Sequence, residues 1–492
     1  MRSDSPSKRS VSPCPVSAAG ATKDGKLVYV KARMYFDGGA YASKTPVVVS
    51  NATSLGVGPY EVPNVRIEGW GLYTNNPPCG AMRGLGAVQP VFAYELQMDK
   101  LARALGMDPV RLRQLNAVSE GSTMHTGQVL DYPAPVAELL ERLEKLPLPP
   151  ENRTGPMDVR SLPGGLSNTT HGEGVVRGVG YSVIIKNVSY AEGVDDYSTA
   201  RVRLQAIGGE PVAMVHTAAA EVGQGLITVQ QQIARSELAV ERVNIHPADT
   251  NVGDAGSSSA SRQTYITGGA VRNACEAVRE VVFERVARRL GESPAELSLS
   301  GGKVVSRATG FVADLVDVLG DDAIEETREY HHLRTYEMDP VTGQSRRVHV
   351  QHAFAAHRAV VDVDTDLGLV KVVQLDCAQD VGKAVNPDAV VGQIQGGSTQ
   401  GLGLAVMEEI KVSDGKIRNP SFTDYLIPTI LDTPPMTVDV IERADPNAPY
   451  GVRGVGEPPT ISATPAIVNA IRDATGLNLT HTPVTPEQLC GF

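Results

Sequence analysis

A chain of 492 residues is long enough for roughly two or three domains with substantial cores. Its composition, 41% hydrophobic, 21% charged and 5% aromatic, is that of an ordinary globular protein, and a net charge of −11 without a long Lys/Arg run argues against nucleic acid or an anionic membrane face as partner. No apolar run is long enough to span a bilayer, so no membrane partner is expected and the expected compartment is the cytoplasm.

Residues 1–22, rich in Ser and Pro with interspersed Arg and Lys, read as a disordered tail. Leu27, Tyr29, Lys31 and Arg33 then alternate with Val28, Val30, Ala32 and Met34, and the chain turns at Asp37-Gly-Gly39, which predicts a strand over Lys26–Tyr41. Phe92, Leu96, Met98, Leu101 and Leu105 fall near one helical face, predicting a helix over Val91–Leu105 that Gly106 closes and that stops before Pro109. Its start lies next to the Arg83 loop, and a helix N-terminus favours anions such as a phosphate or oxo group. The Pro- and Gly-rich stretch Pro147–Gly165 reads as a linker, with a domain boundary near 165.

Beyond it, Arg201–Leu204 and Val212–Thr217 read as strands and Thr228–Leu238 as a helix. Val271, Ala274, Val278, Val281, Val282, Ala287 and Leu290 form one broad stripe, predicting a helix over Val271–Leu290. Ser293-Pro-Ala-Glu296 has the pattern of a capping box with proline at the first helical position. Strands over Ala359–Thr365 and Leu369–Asp376 flank the turn at Asp366-Leu-Gly and predict a hairpin. Strands interleaved with helices in this way indicate an α+β architecture.

The five cysteines, Cys14, Cys79, Cys275, Cys377 and Cys490, contain no Cys-x-x-Cys pair, so no iron–sulfur or zinc site built in this chain alone is expected. Nor does a Gly-x-Gly-x-x-Gly fingerprint stand between a strand and a helix, as a flavin or nicotinamide would require. If the chain oxidises a substrate, its electrons leave through other subunits.

Four segments carry chemistry: Pro77-Pro-Cys-Gly-Ala-Met-Arg-Gly-Leu-Gly86, Ala220-Glu-Val-Gly-Gln-Gly225, Gln393-Ile-Gln-Gly-Gly-Ser-Thr-Gln-Gly-Leu-Gly403 and Gly454-Val-Gly-Glu-Pro-Pro-Thr460. In the last, Gly456 permits close backbone approach while Pro458 and Pro459 fix φ and are expected to bar a helix, so that Glu457 is aimed from a stiff loop. In order and spacing the four resemble the molybdenum-cofactor subunit of the xanthine dehydrogenase and aldehyde oxidase family, most of all its bacterial purine-catabolic branch.

The resemblance implies two molybdenum-cofactor-binding domains, residues 23–165 and 166–492, with the family's separate N-terminal β-rich domain and its Gly-Gly-x-Gly-Gly loop absent. On that reading the chain looks like an N-terminally shortened copy, and a non-catalytic fragment is one alternative. The expected cofactor is a molybdenum pterin, in the cytosine dinucleotide form, with no side chain ligating the metal. Iron–sulfur and FAD-binding subunits are the expected partners, and a dimer of heterotrimers the expected assembly. Glu457 matches the family's general base, which must be ionised yet unsolvated.

By the same resemblance Arg83, Gly84, Gln224, Gly225, Ala260, Ser261 and Gln400 are the expected cofactor-binding residues. Glutamine amides and backbone N–H groups can donate to oxo and pterin atoms without adding charge, although Gln224 could equally bond its local backbone. Hydroxyls in Gly256-Ser-Ser-Ser-Ala-Ser-Arg262 suit a pterin or phosphate, although by composition this run is a flexible turn. Leu85 stands where many relatives carry a phenylalanine wall, and Tyr190 aligns with the opposite wall, so both are expected to line the substrate site. The substrate implied is a purine such as xanthine or hypoxanthine. An aldehyde or another N-heterocycle is the alternative, because the arginine that some purine-oxidising relatives place before Pro63-Asn-Val-Arg66 is replaced here by Asn51-Ala-Thr-Ser54.

Overall fold

A computed structural model of the protein describes residues 16–150 and 159–491. Strands β1 (Val16–Ala21), β2 (Leu27–Asp37) and β3 (Asn64–Leu72) form a three-stranded sheet, with helix α1 (Thr45–Leu55) crossing between β2 and its parallel neighbour β3. The expected tail is therefore corrected at its end. Residues 16–21 pair antiparallel with β2, because a run of small residues fits flat against it, whereas residues 1–15 lie outside the described residues. On β2 the expected alternation holds for Ala32 and Met34, buried between exposed Lys31, Arg33 and Tyr35, but inverts at the start of the strand, where Leu27 is buried and Val28 exposed, and the strand ends at Asp37, short of Tyr41.

Helix α2 (Val88–Leu105) begins three residues before the expected start and ends at left-handed Gly106, whose N–H bonds Ala102 and Arg103 carbonyls. Pro109 opens the next helix, α3 (Pro109–Asn116), whose first turn is capped by the Asp108 carboxylate accepting from Arg111 N at 2.8 Å. Helix α4 (Val136–Glu144) follows. Of the expected linker, 151–158 lie outside the described residues, and its front is pinned: Leu146 and Pro147 carbonyls accept from the buried Arg358 guanidinium at 2.6 and 2.9 Å.

Strands β4 (Val175–Val188), β5 (Tyr197–Ile207), β6 (Glu210–Thr217) and β7 (Arg242–Ile245) come next, with helix α5 (Leu226–Leu238) between the last two. Helix α6 (Gln263–Leu290) starts eight residues before the predicted Val271. The Ser293 segment forms only a single 3₁₀ turn, Pro294–Glu296, in which Ser293 accepts from Ala295 N. A small meander, β8 (Leu297–Ser300), β9 (Lys303–Ser306) and β10 (Val312–Asp314), leads through short α7 (Leu315–Leu319) to β11 (Ile324–His331). The predicted hairpin is present and longer, as β12 (Gln351–Asp364) and β13 (Leu369–Asp380). Helix α8 (Pro387–Val406), the hairpin β14 (Val412–Ser413) and β15 (Lys416–Ile417), β16 (Val438–Ile441), α9 (Pro458–Thr475) and α10 (Pro486–Cys490) complete the chain.

Two four-stranded sheets organise the rest, in the orders β16-β13-β12-β4 and β11-β5-β6-β7. Helix α9 is buried from Pro458 to Arg472 and lies against β4 and β12. That contact needs glycine on the strand, since a Cβ on Gly180 would run into the backbone of Ala466 and Ala470. On the other side α8 packs on α9 through Gly401, where a Cβ would stand 2.6 Å from that of Ala463. One core joins Leu139 and Leu140 of α4 to Val183–Ile185 of β4 and Phe354–Ala356 of β12, so the two expected domains share buried surface. Among the described residues no helix is long and apolar enough to cross a membrane.

Candidate active site

The prolines after Glu457 do the opposite of what the sequence suggested. Pro458 and Pro459 fill the first two positions of α9, where a missing N–H is no loss and a fixed φ is already helical. Glu457 thus stands not on an isolated stiff loop but at the N-terminal end of a buried helix, where negative charge is favoured. Its residue exposure is 7%.

Three groups from distant parts of the chain hold the Glu457 carboxylate. Gly84 N donates to Oε1 at 3.1 Å, Ser261 Oγ donates to Oε2 at 3.3 Å, and Lys186 Nζ lies 3.5 Å from Oε2. Ser261 Oγ also accepts from Glu457 N at 3.0 Å. Gly84 has φ +89°, and a Cβ there would sit 2.6 Å from Ile461 Cγ1 of α9, so a glycine alone brings this N–H to the carboxylate.

Lys186, which sequence reasoning missed, is 1% exposed near the end of β4 and donates to Asn187 Oδ1 at 2.5 Å. Burial lowers its pKa while the Glu457 carboxylate raises it, burial being the larger influence. The signal was available: a lysine inside the apolar run Val183-Ile-Ile-Lys-Asn-Val188 has to find a partner.

Arg83 ties the other motifs to this carboxylate. Its guanidinium donates to Gly456 O, to Gln393 O at 2.9 Å and Oε1 at 3.2 Å, and to Gln400 Oε1 at 3.2 Å. Burial pushes its pKa down, with Glu457 opposing. Three of the four motifs therefore meet directly. Gln393, a second missed residue, belongs to the same stretch as Gln400 but had no distinguishing feature in the sequence.

The Ala220–Gly225 motif is joined one step further out. Ser258 Oγ donates to Ala220 O at 3.0 Å, linking it to the loop that carries Ala260 and Ser261. Gln224 is bonded locally, accepting from Val222 N at 2.6 Å and donating to Ala220 O at 2.9 Å, while Glu221, which nothing in the sequence singled out, caps the loop by accepting from Gly223, Gly225 and Ile227 N–H groups. Ala260 and Ser261 both have left-handed backbone, φ +53° and +49°, and Ala260 O accepts from Ser189 N at 3.0 Å. Strain at two consecutive non-glycine residues is the kind that surrounding structure must hold in place.

Tyr190 OH meets Ser257 Oγ at 2.8 Å and accepts from Ser257 N at 3.0 Å, and the Arg262 guanidinium lies 5.2 Å from its ring centroid. One face of that ring is thus covered. Arg262 itself is buried against Asp196, a pair that fastens the whole serine loop. Leu85 is half-buried between Gly84 and Gly86.

The residues around Glu457 fit a molybdenum pterin by their donors. They are glutamine amides, hydroxyls and backbone N–H groups beside Arg83 and Lys186, with Gly84 N, Gly223 N, Gly225 N and Gln224 bonded within the protein, and a Cβ on Gly223 would meet nothing within 4 Å, leaving open space beside its loop. A ligand that carries its own metal ligands requires this kind of cradle and no His or Cys cluster.

Residues 15–117 and 165–434 each match a model described as a molybdopterin cofactor-binding domain. The chain is 31% identical over 478 residues to a probable xanthine dehydrogenase subunit of Bacillus subtilis, a match covering 96% of this chain and 60% of that protein. It is 30% identical over 482 residues to the aldehyde oxidoreductase of Megalodesulfovibrio gigas, covering 95% and 48%. Among solved structures it resembles quinoline 2-oxidoreductase from Pseudomonas putida 86 with a TM-score of 0.81 and 26% identity, over 96% of this chain and 61% of that one. The chain thus spans less than two thirds of the length of these relatives.

Proposed function

This chain belongs to the molybdopterin cofactor-binding family of molybdenum hydroxylase large subunits, and from that premise we propose that it is a catalytic subunit hydroxylating a purine such as xanthine or hypoxanthine. The observation that carries the proposal is the Glu457 carboxylate, buried, ion-paired with Lys186 and held by Gly84 N and Ser261 Oγ. When bound, the molybdenum pterin supplies a two-electron acceptor and activates the water whose oxygen enters the product.

The remaining work falls to side chains of this protein. Glu457 takes a proton at Oε2, the oxygen that Lys186 Nζ approaches to 3.5 Å. Gly84 N fixes the second oxygen, so the carboxylate does not swing as it changes charge. Arg83, Gly84, Gln224, Gly225, Ala260, Ser261 and Gln400 hold the cofactor, its nucleotide being the cytosine form. Leu85 and the free face of Tyr190 flank a flat ring. Electrons leave for iron–sulfur and FAD-binding subunits in a dimer of heterotrimers in the cytoplasm.

A second reading, an aldehyde or a different N-heterocycle as substrate, is favoured by two features. Leu85 offers no aromatic stacking, and Asn51 and Ser54 are buried in α1, where some purine-oxidising relatives carry an orienting arginine. The test compares turnover of xanthine, a simple aldehyde and nicotinate by the enzyme assembled with its partner subunits. Xanthine turned over best supports the purine reading, and either of the others supports the second. On whichever substrate is used, Glu457→Gln should abolish turnover while leaving molybdenum bound. Undiminished turnover in that variant would remove Glu457 from the mechanism.

A further inference from the structure

β6 and the segment after β7 bring three metal-ligating side chains together, separately from the Glu457 carboxylate. His216 is the penultimate residue of β6, His246 follows β7 directly, and Asp249 precedes the 3₁₀ turn Thr250–Val252. The two strands are parallel, and His246 N donates to Val215 O at 2.8 Å, which sets the two imidazole rings side by side with centroids 4.1 Å apart. The chain then turns back at Pro247, placing Asp249 Oδ1 3.2 Å from His216 Nε2 and Oδ2 4.0 Å from His246 Nδ1. One ligand atom from each residue lies within 4.8 Å of the other two, and among the described residues no other group of His, Cys, Asp or Glu does this.

A second observation points to a ligand. His216 is only 9% exposed, and its Nε2 faces Asp249 Oδ1 at 3.2 Å without forming a well-aligned hydrogen bond to it. A buried ring nitrogen left unsatisfied is costly and calls for an explanation. His246 Nδ1 donates to Pro247 O at 2.8 Å, which leaves its second nitrogen with a free lone pair, the arrangement usual for metal-binding histidines. Asp249 is oriented by the Asn251 N–H, from which its Oδ1 accepts at 2.8 Å. Two imidazoles and a carboxylate suit Zn²⁺ or a neighbouring divalent transition metal, and the half-exposed His246 and Asp249 leave room for water in a fourth position.

We propose that His216, His246 and Asp249 bind one divalent transition-metal ion, with Zn²⁺ the ion that fits best. The site has a structural consequence. His216 leads into the loop bearing Gln224 and Gly225, and Asp249 leads into the loop bearing Ala260 and Ser261, so the ion clamps the roots of both and stabilises the folded state.

The test is Zn²⁺ titration of the metal-free full chain by chelator competition, with Co²⁺ as a spectroscopic probe. One Zn²⁺ per chain is expected, with a visible Co²⁺ band and a rise in melting temperature on adding Zn²⁺. His246→Ala, at a half-exposed position, should retain its melting temperature without metal but bind Zn²⁺ at least about tenfold more weakly and lose the Zn²⁺-dependent rise. Asp249→Asn should weaken binding in the same direction and serves as the second variant. Absence of saturable Zn²⁺ binding would overturn the proposal, and so would equal affinity in the unaltered chain and His246→Ala.

Discussion

Lys186 and Glu457 form a buried pair whose coupling can be worked out and measured. Lys186 is 1% exposed and its Nζ lies 3.5 Å from Glu457 Oε2. At an effective dielectric of about 20, unit charges at that distance attract by about 5 kcal/mol, and removing both from water offsets much of this. Lys186→Met leaves the carboxylate with only Gly84 N and Ser261 Oγ, and is expected to cost about 3 kcal/mol. Glu457→Gln leaves a buried ammonium whose other contacts are Asn187 Oδ1 and O, and is expected to cost about 2 kcal/mol. Because each single change strands a charge that the other removes, the double variant should cost about 2 kcal/mol less than the sum. The assay is urea unfolding of all four proteins, followed by circular dichroism at neutral pH. Additivity to within about 0.5 kcal/mol would refute the pairing.

Helix packing and a buried histidine of β12 supply the other expectations. Gly180→Ala should cost about 3 kcal/mol or more and yield mostly insoluble protein, because the new methyl meets α9 backbone that cannot give way. Gly392→Ala, on α8 with nothing near its Cβ, should instead raise the melting temperature slightly. His357 is fully buried between Ser462 Oγ and Ser398 Oγ, at 2.7 and 2.8 Å, and burial pushes its pKa down to about 3. Between that value and an unfolded pKa of about 6.5 the unfolded chain binds the extra proton, so stability falls as pH falls. Comparing urea midpoints at about pH 7.5 and about pH 5.5, the unaltered chain should lose about 1.4 kcal/mol more than His357→Gln. An equal loss in both would show that His357 is protonated in the fold.

The glycine-rich motifs were legible in the sequence because close backbone approach leaves a compositional mark: Gly84 and Gly401 stand where a Cβ would strike α9. The hairpin of β12 and β13 was legible for a similar reason, since turn residues interrupt two apolar runs. Helix α8 was not, because five glycines from Gly392 to Gly403 lower its helix propensity, and its packing, chiefly against α9, holds it helical. Pro458 and Pro459 misled because a proline pair bars a helix in its interior but begins one at its first turn. Lys186 stayed hidden because nothing in a linear sequence says which distant carboxylate a buried lysine will meet. Gln224 is the opposite case: its motif is plain, yet its side chain is occupied by its own loop.

The central claim is that the loops around Glu457 cradle a molybdenum pterin, and the most direct measurement is the molybdenum content of this chain. It should be co-expressed with iron–sulfur and flavin partner subunits in a host that makes the cofactor, purified, and assayed for metal per polypeptide. Close to one molybdenum per chain is expected, retained in Glu457→Gln. Molybdenum near zero in the purified, folded chain would contradict it.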